Sequence, residues 1–373
     1  MAYVAVKGGQ TAIAESIEQL KYERLKKGGV LKLKNIESGM RGLIDQVMSE
    51  ASLYDEEIAA LAIKQAEGNP EEVVFLIRAF RSTLPRKHYS RTVESDSMFI
   101  ERRISASFKD IPGGQILGAS YDYTHRLIDF SLRKEERDPA GVAKWLEKYK
   151  KEIEAHGNED GLQLPKVMDY LRKGGIMLEY ENNDEEPRDV TKETLHLPSS
   201  RSERLQILTR GQTGAVTALG YASLRGFGSV HPTVGELRVG QLPVYIDSPF
   251  GESADADDSY YIGSIKVTEV ECIIPTSIKL PDGSHEERLD IGYGICYGQN
   301  ESKAIAMSIL DRCLETESDA PTHDEEFVLY HVDSVEATGF ISHLKLPHYV
   351  TFQAKLDSVR KIRKENAKNE ESV

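Results

Sequence analysis

The order in which two hydrophobic periods occur along this chain constrains its fold most. Segments 10–27, 39–51 and 55–67 carry apolar residues at helical spacing, and the first stops at Gly28 and Gly29. Asn69-Pro70-Glu71-Glu72 then opens another helix. It supplies an N-cap, a proline where no N–H is needed, and two acids at the positive end of the helix dipole. Period-two runs rich in β-branched residues come much later, at 242–247, 259–275 and 288–298. Helices and strands thus occur in blocks and do not alternate. The pattern predicts an α+β fold over a doubly wound sheet: a helical N-terminal region packed on a mixed or antiparallel sheet region, with a helical insertion.

Four regions follow. Residues 1–130 form the helical N-terminal region, ending in a segment with a Pro-Gly-Gly turn. Residues 131–195 read as a charged, variable insertion, solvated and poor in chemistry, with the only tryptophan, Trp145, and an acidic run E-Y-E-N-N-D-E-E-P-R-D. Residues 196–356 form an α+β region. Within it, Ser200 to Glu203 resembles a capping box for a helix ending at Gly211. A small-residue helix from Thr213 can pack closely on a neighbour, and Asn300 caps a further helix. Gly292 and Gly294 lie inside a strand pattern, where glycine marks a bulge or close backbone approach. Residues 357–373 are a charged tail.

The charge balance limits the partners. Lys plus Arg less Asp plus Glu is 47 − 61 = −14, so the average surface repels a nucleic-acid backbone and an anionic ligand needs local cations. No apolar run reaches membrane-spanning length and the first residues do not resemble a signal peptide, so the expected location is the cytoplasm. Cys272, Cys296 and Cys313 are odd in number without C-x-x-C spacing, which predicts reduced core residues.

Walker A, nucleophile-elbow, H-E-x-x-H and dinucleotide-binding signatures are missing. Chemistry-bearing residues concentrate in K-D-I-P-G-G-Q-I-L-G-A-S-Y-D-Y-T-H-R. Pro112-Gly113-Gly114 makes a tight turn whose N–H groups could form an anion nest, flanked by Lys109 and Arg126. Asp110, Asp122 and His125 are groups suited to proton transfer, and Tyr121 and Tyr123 offer stacking surface or hydroxyls. The same residues also suit a purely structural turn. The glycine-rich stretch 225–240 reads as a loop with Arg225, His231, Glu236 and Arg238, a weak anion-binding signal.

His343 and His348 lie five positions apart, with Pro347 directly before the second. Proline cannot sit inside a helix, so the pair falls on a bend where both imidazoles can face one spot. A metal, a phosphate or no ligand at all fits that spacing. Two histidines do not close a structural zinc site, but they suit an open one completed by water, substrate or another chain.

Three long strings carry a resemblance: E-R-R-I-S-A-S-F-K-D-I-P-G-G-Q-I-L-G-A-S-Y-D-Y-T-H-R, R-G-F-G-S-V-H-P-T-V-G-E-L-R and D-E-E-F-V-L-Y-H-V-D-S-V-E-A-T-G-F-I-S-H-L-K-L-P-H-Y-V. Together with Y-V-A-V-K-G-G and S-R-S-E-R-L they resemble the subunit I family of the bacterial carbon–phosphorus lyase core complex, to about residue 356. The resemblance implies a transferase of phosphonate metabolism. With subunits G and H and the nucleotide-binding subunit L, it would displace adenine from ATP by a phosphonate. Alone it would act as a nucleosidase on ATP or GTP. It implies partners G, H and J, the ATP-binding subunits K and L, and a second copy in a two-fold core. It also implies zinc at His343 and His348 beside subunit J, and magnesium with ATP. From the chemistry, Asp110 or Asp122 would stabilise the ribosyl cation and His125 or His231 would protonate the base. Arg102, Arg103, Arg126 and Arg225 would meet the phosphates. The alternative is a scaffold subunit whose histidine pair completes a metal or product site at the interface with the lyase subunit.

Overall fold

The computed structural model describes residues 9–155, 164–180, 185–227, 231–249 and 258–370. The fold is α+β, as the block order predicts. Parts of the acidic run (181–184), the glycine-rich stretch (228–230) and the acidic loop D-A-D-D (255–257) lie outside the described residues, as do the first eight residues.

The N-terminal block comprises α1 (Gly9–Leu25), α2 (Leu33–Gly39), α3 (Arg41–Ala51), α4 (Glu56–Gln65) and α5 (Pro70–Ser82). Asn69 Oδ1 accepts the Glu72 N–H at 3.0 Å, with Pro70 in the first turn. Helices α2 to α5 bury Ile36, Val47, Met48, Ile63 and Val73 against one another. Among the described residues, helix α1 buries no side chain, unlike α2 to α5.

Strands β1 (Phe99–Ile104), β2 (Thr233–Asp247), β3 (Ser259–Lys279) and β4 (His285–Tyr297) pair antiparallel in that order. Two of these elements differ from the sequence reading. From Thr233 onward the glycine-rich stretch is strand, not loop, and β1 lies within a segment read as turn chemistry. Both carry charged residues on a face that is buried, and this hides the usual apolar alternation.

One face of the sheet is apolar. Leu237, Val239, Val270 and Cys272 pack under α8 (Arg201–Arg210), α9 (Thr213–Ala222) and α10 (Glu301–Leu314). A Cβ on Gly292 would lie 2.0 Å from the Ser308 carbonyl oxygen, and one on Gly294 2.1 Å from that of Ala304. These are the close approaches expected of strand glycines, and they let α10 rest on β4. The Ser200 and Glu203 capping box is formed. The small-residue helix α9 sets Gly220 against Ala306 of α10, so that face is occupied within the chain. Asn300 stands at the N-cap of α10 without a side-chain cap. Its amide instead donates to the Asp45 and Tyr297 carbonyls, at 3.0 and 2.6 Å. All three cysteines are free, and Cys272 and Cys296 are buried.

The other face is ionic and closed. Arg103 and Arg238 stand opposite each other on β1 and β2, and Glu269 opposite Arg238 on β3. Arg103 Nε lies 2.5 Å from Glu236 Oε1, and Arg238 Nε donates to Glu269 at 2.9 Å. Lys166 bridges Glu269 and Glu271 at 3.1 and 3.3 Å. The lid is the segment 164–173, containing α7 (Val167–Lys173), with Leu164, Val167 and Met168 buried. The 131–195 region is therefore not solvated throughout. Its helix α6 (Pro139–Ala155) is exposed as expected, but its later part plugs the sheet.

The chain ends in α11 (Glu325–His331), α12 (Ser334–His343) and α13 (Tyr349–Glu370). Among the described residues, no helix is long and apolar enough to cross a membrane.

Candidate functional site

Three sequence-distant segments enclose a cavity of about 250 Å³. The start of α3 gives Arg41, Gly42 and Asp45, the loop after β1 gives Tyr121, Asp122 and Arg126, and the β4–α10 corner gives Gln299, Glu301 and Ser302. Gln299 ties them together. Its side-chain amide donates to the Ala119 carbonyl at 2.9 Å and to Glu301 at 2.7 Å, and its N–H donates to Asp45 Oδ2 at 3.0 Å.

Arg102 forms the back of this site. Its side chain is 4% exposed, with Nη2 2.5 Å from Asp122 Oδ2 and Nε 3.0 Å from Glu301 Oε1. Burial pulls its pKa down, but Glu301, Tyr123 and Asp122 together raise it, so the guanidinium is a fixed cation. Arg126 Nη2 approaches Asp122 Oδ1 to 3.8 Å from a residue with φ of 56°. That left-handed conformation costs a non-glycine residue roughly 1–2 kcal/mol and marks a constrained loop.

Asp45 was not among the sequence candidates. It is 4% exposed, and burial pushes its carboxyl above the usual carboxylate range, against the pull of the Gln299 N–H, Lys266 and Arg41. Gly298 makes room for it. With φ of 67°, a Cβ there would lie 2.4 Å from Asp45 atoms. In sequence Asp45 sits in a helical pattern with nothing to set it apart. The only local signal was an acid on the apolar face of α3.

The other candidates sit elsewhere. Lys109 and Asp110 are exposed and do not line the cavity. In the Pro112-Gly113-Gly114 turn, Gly114 N–H donates to Ile111 O at 2.8 Å, and Pro112 O accepts from Arg103 at 2.6 Å. Leu164 covers Gly113 so closely that a Cβ there would be 2.3 Å away. The turn thus serves packing. Arg103 is fully buried, with its nitrogens on Glu236, Pro112 O and Pro165 O. Glu236 and Arg238 belong to the same ionic layer. His125, His231 and Arg225 are exposed and lie off the cavity wall, His231 Nδ1 resting 2.9 Å from Pro232 O.

The histidine pair forms a second feature. Helix α12 ends at His343, α13 begins after His348, and Pro347 lies in the break. The ring centroids are 5.4 Å apart with planes at 58°, His348 exposed and His343 half-buried. His343 Nδ1 contacts Phe340 O, and His348 Nδ1 lies 2.6 Å from Leu346 O. Carbonyl oxygens only accept, so both Nδ1 atoms carry a proton, which leaves Nε2 of each neutral ring as the nitrogen for a metal. Among the described residues, no third His, Cys, Asp or Glu joins them. Two ligands from this chain therefore fit an open zinc site, which takes four in all.

Comparison with known proteins gives a consistent result. The sequence model of the family described as "Bacterial phosphonate metabolism protein (PhnI)" matches residues 2–366. The "Alpha-D-ribose 1-methylphosphonate 5-triphosphate synthase subunit PhnI" of Rhizobium meliloti (strain 1021) is 41% identical, over 98% of this chain and 95% of its own length. The protein of the same description from Escherichia coli (strain K12) is 39% identical over 97% and 99%. The "Putative C-P lyase subunit protein HtxH" of Stutzerimonas stutzeri is 40% identical over 96% and 95%.

Proposed function

Because the chain belongs to the PhnI family of bacterial phosphonate metabolism, we propose that it breaks the N-glycosidic bond of ATP. Working with partner subunits it installs a phosphonate at the ribose C1′, giving ribose 1-phosphonate 5-triphosphate. Alone it admits water and acts as an ATP or GTP nucleosidase. The observation that carries this reading is the cavity in which Asp45, Asp122 and Glu301 meet Arg41 and Arg126.

Its charge balance fits one end of ATP better than the other. Arg41 and Arg126 are exposed, whereas the Arg102-held carboxylates of Asp122 and Glu301 disfavour a polyphosphate inside. They favour a ribosyl centre that gains positive charge as the base departs. At about 250 Å³ the cavity is near the lower end of ligand pockets, roughly 300–1,000 Å³, which suits the nucleoside portion. The triphosphate then lies at the rim, met by Arg41 and Arg126, with magnesium bridging its oxygens. Asp122, oriented by Arg102, faces the developing cation. Tyr121 supplies a wall for the base or sugar.

His343 and His348 would contribute two nitrogens to zinc, the rest coming from a partner at the exposed α12–α13 break. In this reading the partners are subunits G, H and J, the nucleotide-binding subunits K and L, and a second copy of the chain. Neither histidine lines the cavity, and this reading treats the two as separate sites. When bound, zinc would act as a Lewis acid or anchor at that seam. Alanine at either histidine is expected to reduce zinc in the assembled complex to background by elemental analysis, while the isolated chain still releases base.

The deciding assay uses purified chain and ATP, with adenine and ribose 5-triphosphate separated by chromatography. Adenine release by the chain alone supports the enzyme reading. Partner subunits and methylphosphonate should then divert product to the ribosyl phosphonate. Base release that needs partners even for hydrolysis would favour a scaffold instead.

A further inference from the structure

We propose that Asp45 is the catalytic acid that protonates the departing purine. This deepens the base-release reading and rests on it. The wall of the cavity offers few proton donors: neither histidine near the loop reaches it, and Asp122 is engaged by Arg102 and Arg126. Asp45 is set apart by its surroundings. One oxygen accepts the Gln299 N–H, and the glycine at 298 brings the main chain against the carboxyl without a side chain between them.

The charges around Asp45 come from every side. Arg41 lies one turn before it on α3, Lys266 is on β3, and Glu56 is on α4. Tyr54 shares this neighbourhood, its hydroxyl accepting the Lys266 N–H at 2.9 Å. Asp122, Glu301 and Arg126 share the cavity. Burial outweighs the cations and raises the carboxyl, which favours its acid form. Asp45 and Asp122 are thus two carboxyls in one cavity, one buried and the other ion-paired. Such pairs divide acid and electrostatic roles.

In the step, the C1′–N9 bond breaks and its electron pair goes to the purine, which takes the proton from Asp45. The oxygen of water, or of the phosphonate, bonds to C1′. With water, the surplus proton leaves to solvent, from which Asp45 is reprotonated. The products are free adenine and ribose 5-triphosphate, or the ribosyl phosphonate.

Asp45→Asn tests this, because the amide oxygen can still accept the Gln299 N–H while no proton can be given. ATP turnover is expected to fall by about 10²–10⁴-fold. 7-Methyl-GTP, whose base is already cationic and leaves without protonation, should turn over within a few-fold of wild type. The alkaline fall of the ATP rate, which marks loss of the Asp45 proton in the wild-type protein, should vanish in the variant. Thermal unfolding should be unchanged or slightly higher. Equal loss on both substrates, or ATP turnover within ten-fold of wild type, overturns the assignment. A wild-type chain that releases no base from either nucleotide, with or without partners, overturns the parent reading instead.

Discussion

Asp122→Asn is expected to lower base release from ATP by about 10²–10³-fold, the usual effect of removing one preorganised group from a developing charge. The reason is positional. Asp122 shares the cavity wall with Arg126, and Arg102 holds its carboxylate from behind at 2.5 Å. The ground-state ribose is neutral, so ATP affinity should change by only a few-fold while kcat falls. Arg102 keeps Glu301 at 3.0 Å and the Leu117 carbonyl, so the fold has support without Asp122. Steady-state rates and nucleotide titration on the same preparation separate the two effects. Turnover within ten-fold of wild type would remove Asp122 from the chemistry and leave Glu301 as the remaining carboxylate.

Arg103→Met is expected to cost about 3–5 kcal/mol of stability, because it leaves Glu236 buried without its cation. Arg103 is 0% and Glu236 2% exposed, so water cannot take its place. Against typical stabilities of about 5–15 kcal/mol this is a large fraction. Urea unfolding should show a lower midpoint, and adding Glu236→Leu should recover much of it, since an apolar pair avoids the desolvation cost. A single variant within about 1 kcal/mol of wild type would show that water enters this layer, contrary to the closed packing.

The same layer has a pH signature. Burial pushes Glu269 up, but Arg238 and Lys166 outweigh it and bring its pKa to about 2. A depressed carboxyl contributes stability above its unfolded pKa and loses it as pH falls from roughly 4.3 towards that value. Neighbouring Glu271 is shifted the other way, by burial first, and so opposes stability as pH rises.

Much of the architecture was readable because it rests on local rules. Asn69 and Ser200 cap helices as their neighbours require, the block order gives α+β, and Pro347 breaks α12 from α13. Strand β1 and the first part of β2 were missed, because Arg103, Glu236 and Arg238 occupy positions that a simple core would fill with apolar residues. No single-sequence period distinguishes a charge facing water from one facing an opposite charge in another strand. The segment 164–173 was read as solvated for the same reason, since its lid role depends on Glu236, Glu269 and Glu271 lying beneath it.

The candidate site divides along similar lines. Tyr121, Asp122 and Arg126 stand out because they cluster in sequence, and they line one cavity, whereas Asp45 does not stand out, because its partners are Gln299 and Gly298, more than 250 residues away. By itself the sequence determined the helix ends, the fold class, the bend at the histidine pair and the family resemblance, all of which depend on neighbouring residues or on whole strings. Only the tertiary structure decided which acids share a cavity and which arginines are locked in the core. Burial and charge pairing are set by what the folded chain places within a few ångströms, and sequence separation does not encode that.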